Sequence, residues 1–148
     1  MTTRNLVSAI LLVLIALALA SCSAPSEAGG SEPSFPASYE ELTAALRDGG
    51  HQVVPMEPVS QPFFEPEGQV IALDGHQVQV FEFSSHADAD SMADTISADG
   101  GSIGTTMVSW IEAPHFFRSG RLIVLYVGED AEVIETLEDL LGHQIAGR

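Results

Sequence analysis

The chain predicts a single α+β domain: one antiparallel sheet of four to five strands with helices on one face, in the order α-β-ββ-α-ββ-α. Three observations carry that expectation. Apolar residues recur with helical spacing in three separated segments, and strand-like apolar runs lie between them. The links between neighbouring apolar runs are short and turn-rich, which forces antiparallel pairing. With 148 residues, 45% of them hydrophobic, the chain can build one core but not two.

The first helix is announced by Ser38-Tyr39-Glu40-Glu41, a capping box with Ser38 at the N-cap and Glu41 at N3. Leu42, Ala45 and Leu46 then share one face, and Gly49-Gly50 ends the helix. A strand is expected around residues 51–59. Pro55 and Pro58 lack the N–H that a ladder needs, so this strand belongs at an edge. Phe63-Phe64 should fold back onto the core. Gln69–Leu73 and His76–Phe83 flank Asp74-Gly75, which predicts a two-residue hairpin turn with positive φ at both central positions. The second helix is expected from the Ser85 cap to about Ser97, with Asp88 at N3 and Ala89, Met92, Ala93 and Ile96 as its buried stripe. Thr105–Ala113, with Trp110, reads as a strand. A turn through Pro114–Gly120 leads into Arg121–Val127, an apolar run expected to be central and covered on both faces. Asp130 caps the third helix. Val133, Ile134, Leu137, Leu140 and Leu141 form its stripe, and Gly142 stops it.

Ahead of this domain, residues 1–21 read as a secretory signal. Arg4 supplies the positive start. Leu6 to Leu19 is a run of 14 residues with one polar member, Ser8, and small residues follow. Such a run falls short of the roughly 20 apolar residues a spanning helix needs. The tetrapeptide Leu19-Ala20-Ser21-Cys22 resembles the lipobox of bacterial lipoproteins. That resemblance implies a diacylglyceryl thioether on Cys22, cleavage before Cys22, and acylation of the new amine with chains such as palmitate. It further implies a protein anchored by lipid to the bacterial cell membrane and facing the periplasm or the exterior. Residues 22–37, rich in Ser, Ala, Pro, Gly and Glu, are expected to be a disordered tether, and residues 38–148 the extracytoplasmic domain. Within the domain, Val80–Phe83, Ile96–Gly100, Ser102–Thr105, Pro114–Arg118, Gly120–Gly128 and Leu141-Gly142 together resemble small bacterial lipoproteins of the cell envelope. This resemblance spans just under half of the chain and implies no activity.

Charge narrows the function classes. Five basic residues, all Arg, face 21 acidic ones, for a net charge of −16. Phosphates require a positive footprint, so nucleic-acid binding and polybasic attachment to anionic lipid are both excluded. The acid excess favours a soluble monomer. The single Cys precludes an intrachain disulfide or a Cys-rich zinc site.

No catalytic residues are predicted. There is no Gly-x-Ser-x-Gly elbow, and the five His (51, 76, 86, 115 and 143) never stand one turn apart on a helix. His86-x-Asp88-x-Asp90 looks like an oxygen-rich metal loop, but it lacks the turn Gly and the downstream Glu, and a helix N-terminus accounts for its acids. No metal or cofactor is expected. The segment His115, Phe116, Phe117, Arg118 and Arg121 concentrates positive charge beside aromatic rings. It is the expected contact surface for a protein or envelope partner, with the Arg as donors and a Phe as anchor. The competing reading buries Phe116 and Trp110 and pairs the Arg with Glu82, Glu112 or Glu129. The function expected is a non-enzymatic binding or accessory module. The alternative is a small enzyme or metal-binding protein using His, Asp and Arg from loops, which requires a deep pocket where such residues converge and is favoured if His51, His86 and His115 come together.

Overall fold

A computed structural model describes residues 34–147 of the protein. The expected signal peptide, Cys22 and the expected tether as far as residue 33 lie outside the described residues. The elements run α1 (Tyr39–Asp48), β1 (Val53–Pro55), β2 (Gln69–Leu73), β3 (His76–Glu82), α2 (His86–Ala93), β4 (Ser102–Ile103), β5 (Thr106–Met107), β6 (Pro114–Ser119), β7 (Leu122–Val127), α3 (Ala131–Leu141) and β8 (Ala146–Gly147). The class is α+β, and the main sheet is antiparallel throughout, in the order β1-β2-β3-β7-β6-β8. It has six strands where four to five were expected, because the C-terminal Ala146-Gly147 adds an edge strand on β6. The strands β4 and β5 form a separate two-stranded ribbon.

All three helix starts use the caps read from the sequence. Ser38 Oγ accepts from Glu41 N at 3.3 Å, and the Glu41 carboxylate accepts from Ala37 N at 2.7 Å. The reciprocal bond of the capping box thus reaches one residue further back than usual. Ser85 Oγ accepts from Asp88 N at 3.1 Å, and Asp130 Oδ1 from Glu132 N and Val133 N at 3.0 and 3.1 Å. The second helix stops at Ala93, short of the expected Ser97. Two local bonds divert it: Thr95 Oγ1 donates to the Met92 carbonyl at 2.7 Å, and Ile96 pairs with Ile103 of the small ribbon.

The Asp74-Gly75 turn forms as expected, with φ of 49° and 94°. The Asp74 carboxylate accepts from His51 Nδ1 at 2.7 Å and from Gln52 N at 2.8 Å. The His51 bond, then the Gln52 bond, holds the Asp74 pKa below its ordinary value of 3.8. The stabilisation this gives is complete above that value and is lost as pH falls through the lower folded pKa.

The sheet buries both faces. Leu122, Val124 and Tyr126 of β7, with Ile71, Leu73, Val78, Val80 and Phe117, pack under α1 and α3. The alternate residues Ile123 and Leu125, with Phe81, Phe83 and Phe116, pack under Ala89 of α2, Phe64 and Ile103. This corrects the expectation of helices on one face. A central strand that is apolar at both parities needs cover on both sides, and α2 helps supply the second.

Two further expectations change. Thr105–Ala113 is not a strand of the sheet: only Thr106-Met107 pair, with β4, and residues 108–113 are irregular. The place beside Leu122–Val127 that such a strand would need is taken by Pro114–Ser119. Pro114–Ser119 is not a turn but β6, an inner strand paired along its whole length with β7. Proline is tolerated as the first residue of a strand, and the turn shrinks to Gly120-Arg121, with Gly120 at φ 55°.

The packed chain also begins earlier than Ser38. Pro36 is buried, and its carbonyl accepts from Ser119 Oγ at 2.6 Å. Arg121 N donates to the Ala37 carbonyl at 3.0 Å. The last residues assigned to the tether are therefore bound to the β6–β7 turn.

Candidate functional site

Placing residues 114–119 in an inner strand redistributes the expected contact residues. Phe116 and Phe117 point to opposite faces of the sheet, and both are 0% exposed, so neither ring can anchor a partner. His115 is buried. Its Nδ1 meets Gln144 Oε1 at 2.8 Å, its Nε2 meets the Gly128 carbonyl at 3.1 Å, and its ring stacks on Tyr126. Arg118 pairs with Asp90 of α2 at 2.5 Å. Arg121 pairs with Glu82 at 2.5 Å, and the other oxygen of Glu82 accepts from Tyr39 N at 3.0 Å. The structure thus does not bring the five residues together as one contact surface. The alternation of a strand separates them, and both guanidinium groups are held by acids.

A different feature gathers at the start of β6. An open cavity of about 670 Å³ is bounded by Asp99, Val108, Trp110, Ile111, Glu112, Pro114, His115, Glu129 and Ile134, among others. Its aromatic wall is built firmly. Trp110 Nε1 donates to the Gly100 carbonyl at 2.7 Å, and the indole meets Phe63 and Phe116 edge-on. Phe116 carries the wall into the core, which ties the loop to the sheet. Beyond the wall the chain exposes apolar surface. Ile111 is 95% exposed and Met107 87%, the highest values among the large hydrophobic residues described.

Sequence reasoning placed Trp110 in a strand and, in the competing reading, in the core, and did not single it out as part of a site. The signal that the sequence did carry was the parity of 107–111. A sheet strand there would have placed Met107 and Ile111 on the same face as Ser109, a poor core face.

His51, His76 and His86, unlike His115, lie elsewhere. His51 lies on Asp74 and His76 3.7 Å from Asp130. With Glu132 and Thr136 these four border a cavity of about 130 Å³ where the β2–β3 turn meets the start of α3. His86 is the exposed first residue of α2. His51, His86 and His115 each belong to a different neighbourhood. Among the described residues no group of three or more His, Cys, Asp or Glu is placed to hold a metal ion. No described helix is long and apolar enough to cross a membrane.

Comparison with known proteins adds no relative to this geometry: no protein-family model matches the chain, and neither a curated protein nor a solved structure does.

Proposed function

We propose that the protein is a bacterial lipoprotein, cleaved before Cys22 and held at the membrane by acyl chains on that residue. Its domain serves as a non-enzymatic binding or accessory module of the cell envelope. The lipobox and the signal-like leader support the anchoring. The observation that carries the binding role is the exposure of Ile111 at the Trp110 cavity, with Met107 exposed four residues earlier in the same segment. Apolar side chains so exposed contribute almost nothing to the fold, and an exposed apolar patch marks a contact surface. The contact surface proposed is this cleft, in place of the residues of β6.

The test follows palmitate labelling and photo-crosslinking in a bacterial host. The wild-type chain should take up label and fractionate with membranes. A crosslinker at position 111 should give discrete adducts that a crosslinker at Glu135, on the exposed side of α3, does not. Cys22→Ser should leave an unlabelled, uncleaved precursor. Normal maturation of that variant would refute the anchoring, and identical adducts from both positions would refute the contact surface.

A further inference from the structure

The Trp110 cleft has a chemistry that selects among ligands. Its walls are apolar, from Val108, Trp110, Ala113, Pro114 and Ile134, and its polar boundary is acidic, from Asp99, Glu112 and Glu129. Of the described residues only Arg47, Arg118 and Arg121 are Arg, and none of them borders the cavity. Asp99 is engaged, accepting from Ser97 Oγ at 2.8 Å and from Gly101 N at 2.9 Å. Glu112 and Glu129 are exposed and make no hydrogen bond or ion pair among the described residues. His115 has both ring nitrogens occupied by Gln144 and Gly128. The indole N–H of Trp110 is likewise committed, to Gly100, so what this half-buried side chain leaves for a ligand is apolar.

We propose that this cleft binds a cation carried on an apolar body: an alkyl- or aryl-substituted ammonium or guanidinium group. The proposal rests on reading the cleft as a binding surface. The apolar body covers Trp110 and Ile111, and the charge sits at the rim beside Glu112 and Glu129. Each alternative class meets a cost. An anion would approach carboxylates and find no free donor. A neutral apolar ligand would strip water from two unpaired carboxylates without replacing it. A cation on an apolar body compensates them while its body rests against the apolar wall. The volume of about 670 Å³ suits a ligand of small-molecule size or one or two side chains of a peptide.

Trp110 is the only tryptophan in the chain, so its emission reports on this cleft alone. The full chain, in non-ionic detergent, is titrated with benzyltrimethylammonium, benzyl alcohol and benzoate. The expected result is a saturable change in emission with the cation alone, weakened by added salt. Glu112→Gln with Glu129→Gln should raise its Kd about fivefold or more, since rim carboxylates act in partial solvent screening. Both substitutions are at exposed positions, and an unchanged melting temperature shows that the double variant is folded. A second arm compares acetyl-Leu-Lys-Leu-Lys-amide with its Leu-Glu counterpart. Tighter binding of the Lys peptide than of the small cation identifies a basic peptide as the source of the charge, and the reverse identifies a free amine.

Benzyl alcohol or benzoate saturating as well as the cation, or an unchanged Kd in the double variant, overturns the charge selection and leaves the cleft a binding surface. No response to any of these ligands overturns the proposal. If crosslinks at position 111 are also no different from those at Glu135, the binding role falls with it.

Discussion

The two ends of β6 are built on opposite principles. At its C-terminal end Ser119 and Arg121 are committed to other segments of the chain. Ser119 holds the Pro36 carbonyl, Arg121 N the Ala37 carbonyl, and the Arg121 guanidinium the Glu82 carboxylate, which also receives Tyr39 N at the start of α1. Gly120 lies so close to Ala37 that a Cβ there would overlap its backbone. At the N-terminal end the chain leaves the sheet, leaves Met107 and Ile111 in water, and opens a cavity beside Trp110. The closed end stabilises the fold by joining segments more than 80 residues apart. The open end contributes little to stability and offers surface. Both Arg near β6 are held by acids of neighbouring elements, Arg118 by Asp90 and Arg121 by Glu82.

Substitutions at the two ends should separate these roles. The largest effect is expected from Gly120→Val. It combines a positive φ that a β-branched residue resists with a clash against Ala37, and should cost about 2–4 kcal/mol in urea unfolding. A loss below 1 kcal/mol would mean that the N-terminal segment is not clamped. A smaller effect is expected from Arg118→Ala with Arg121→Ala, about 1 kcal/mol in the same measurement, because both ion pairs are partly solvated. Trp110 emission with benzyltrimethylammonium should be unchanged in that variant, and a weakened response would join the two ends that the comparison separates. The smallest effect is expected from Met107→Ser with Ile111→Ser, within about 0.5 kcal/mol of wild type. A melting temperature lowered by more than the Arg pair lowers it would show these side chains to be part of the fold.

Much of the fold could be read directly. The caps at Ser38, Ser85 and Asp130, the Asp74-Gly75 turn and the buried run of β7 are signals contained within a few residues of chain. Their physics is local: a side-chain oxygen on a nearby N–H, a backbone angle only certain residues accept, an apolar run too continuous to face water. The misreadings arose where one segment's conformation depends on another's. Pro114 looked like a turn breaker, and only pairing with β7 makes it the first residue of a strand. Thr105–Ala113 looked like a strand, and only the pairing of Pro114–Ser119 with β7 leaves it outside the main sheet.

By itself, then, the sequence determined the class of the fold, its helix starts, its tightest turn and its strong acidity, because each follows from neighbouring residues or from composition. Only the tertiary structure decided which residues are available. It put Phe116 and Phe117 back to back across the sheet, gave Arg118 to Asp90 and Arg121 to Glu82, and brought Glu129 and Ile134 to the same cavity as Trp110. Burial and pairing are relations between distant segments. A site made of the segment that enters β6 and the residues that follow β7 has no signature in the order of its residues until the two strands have paired.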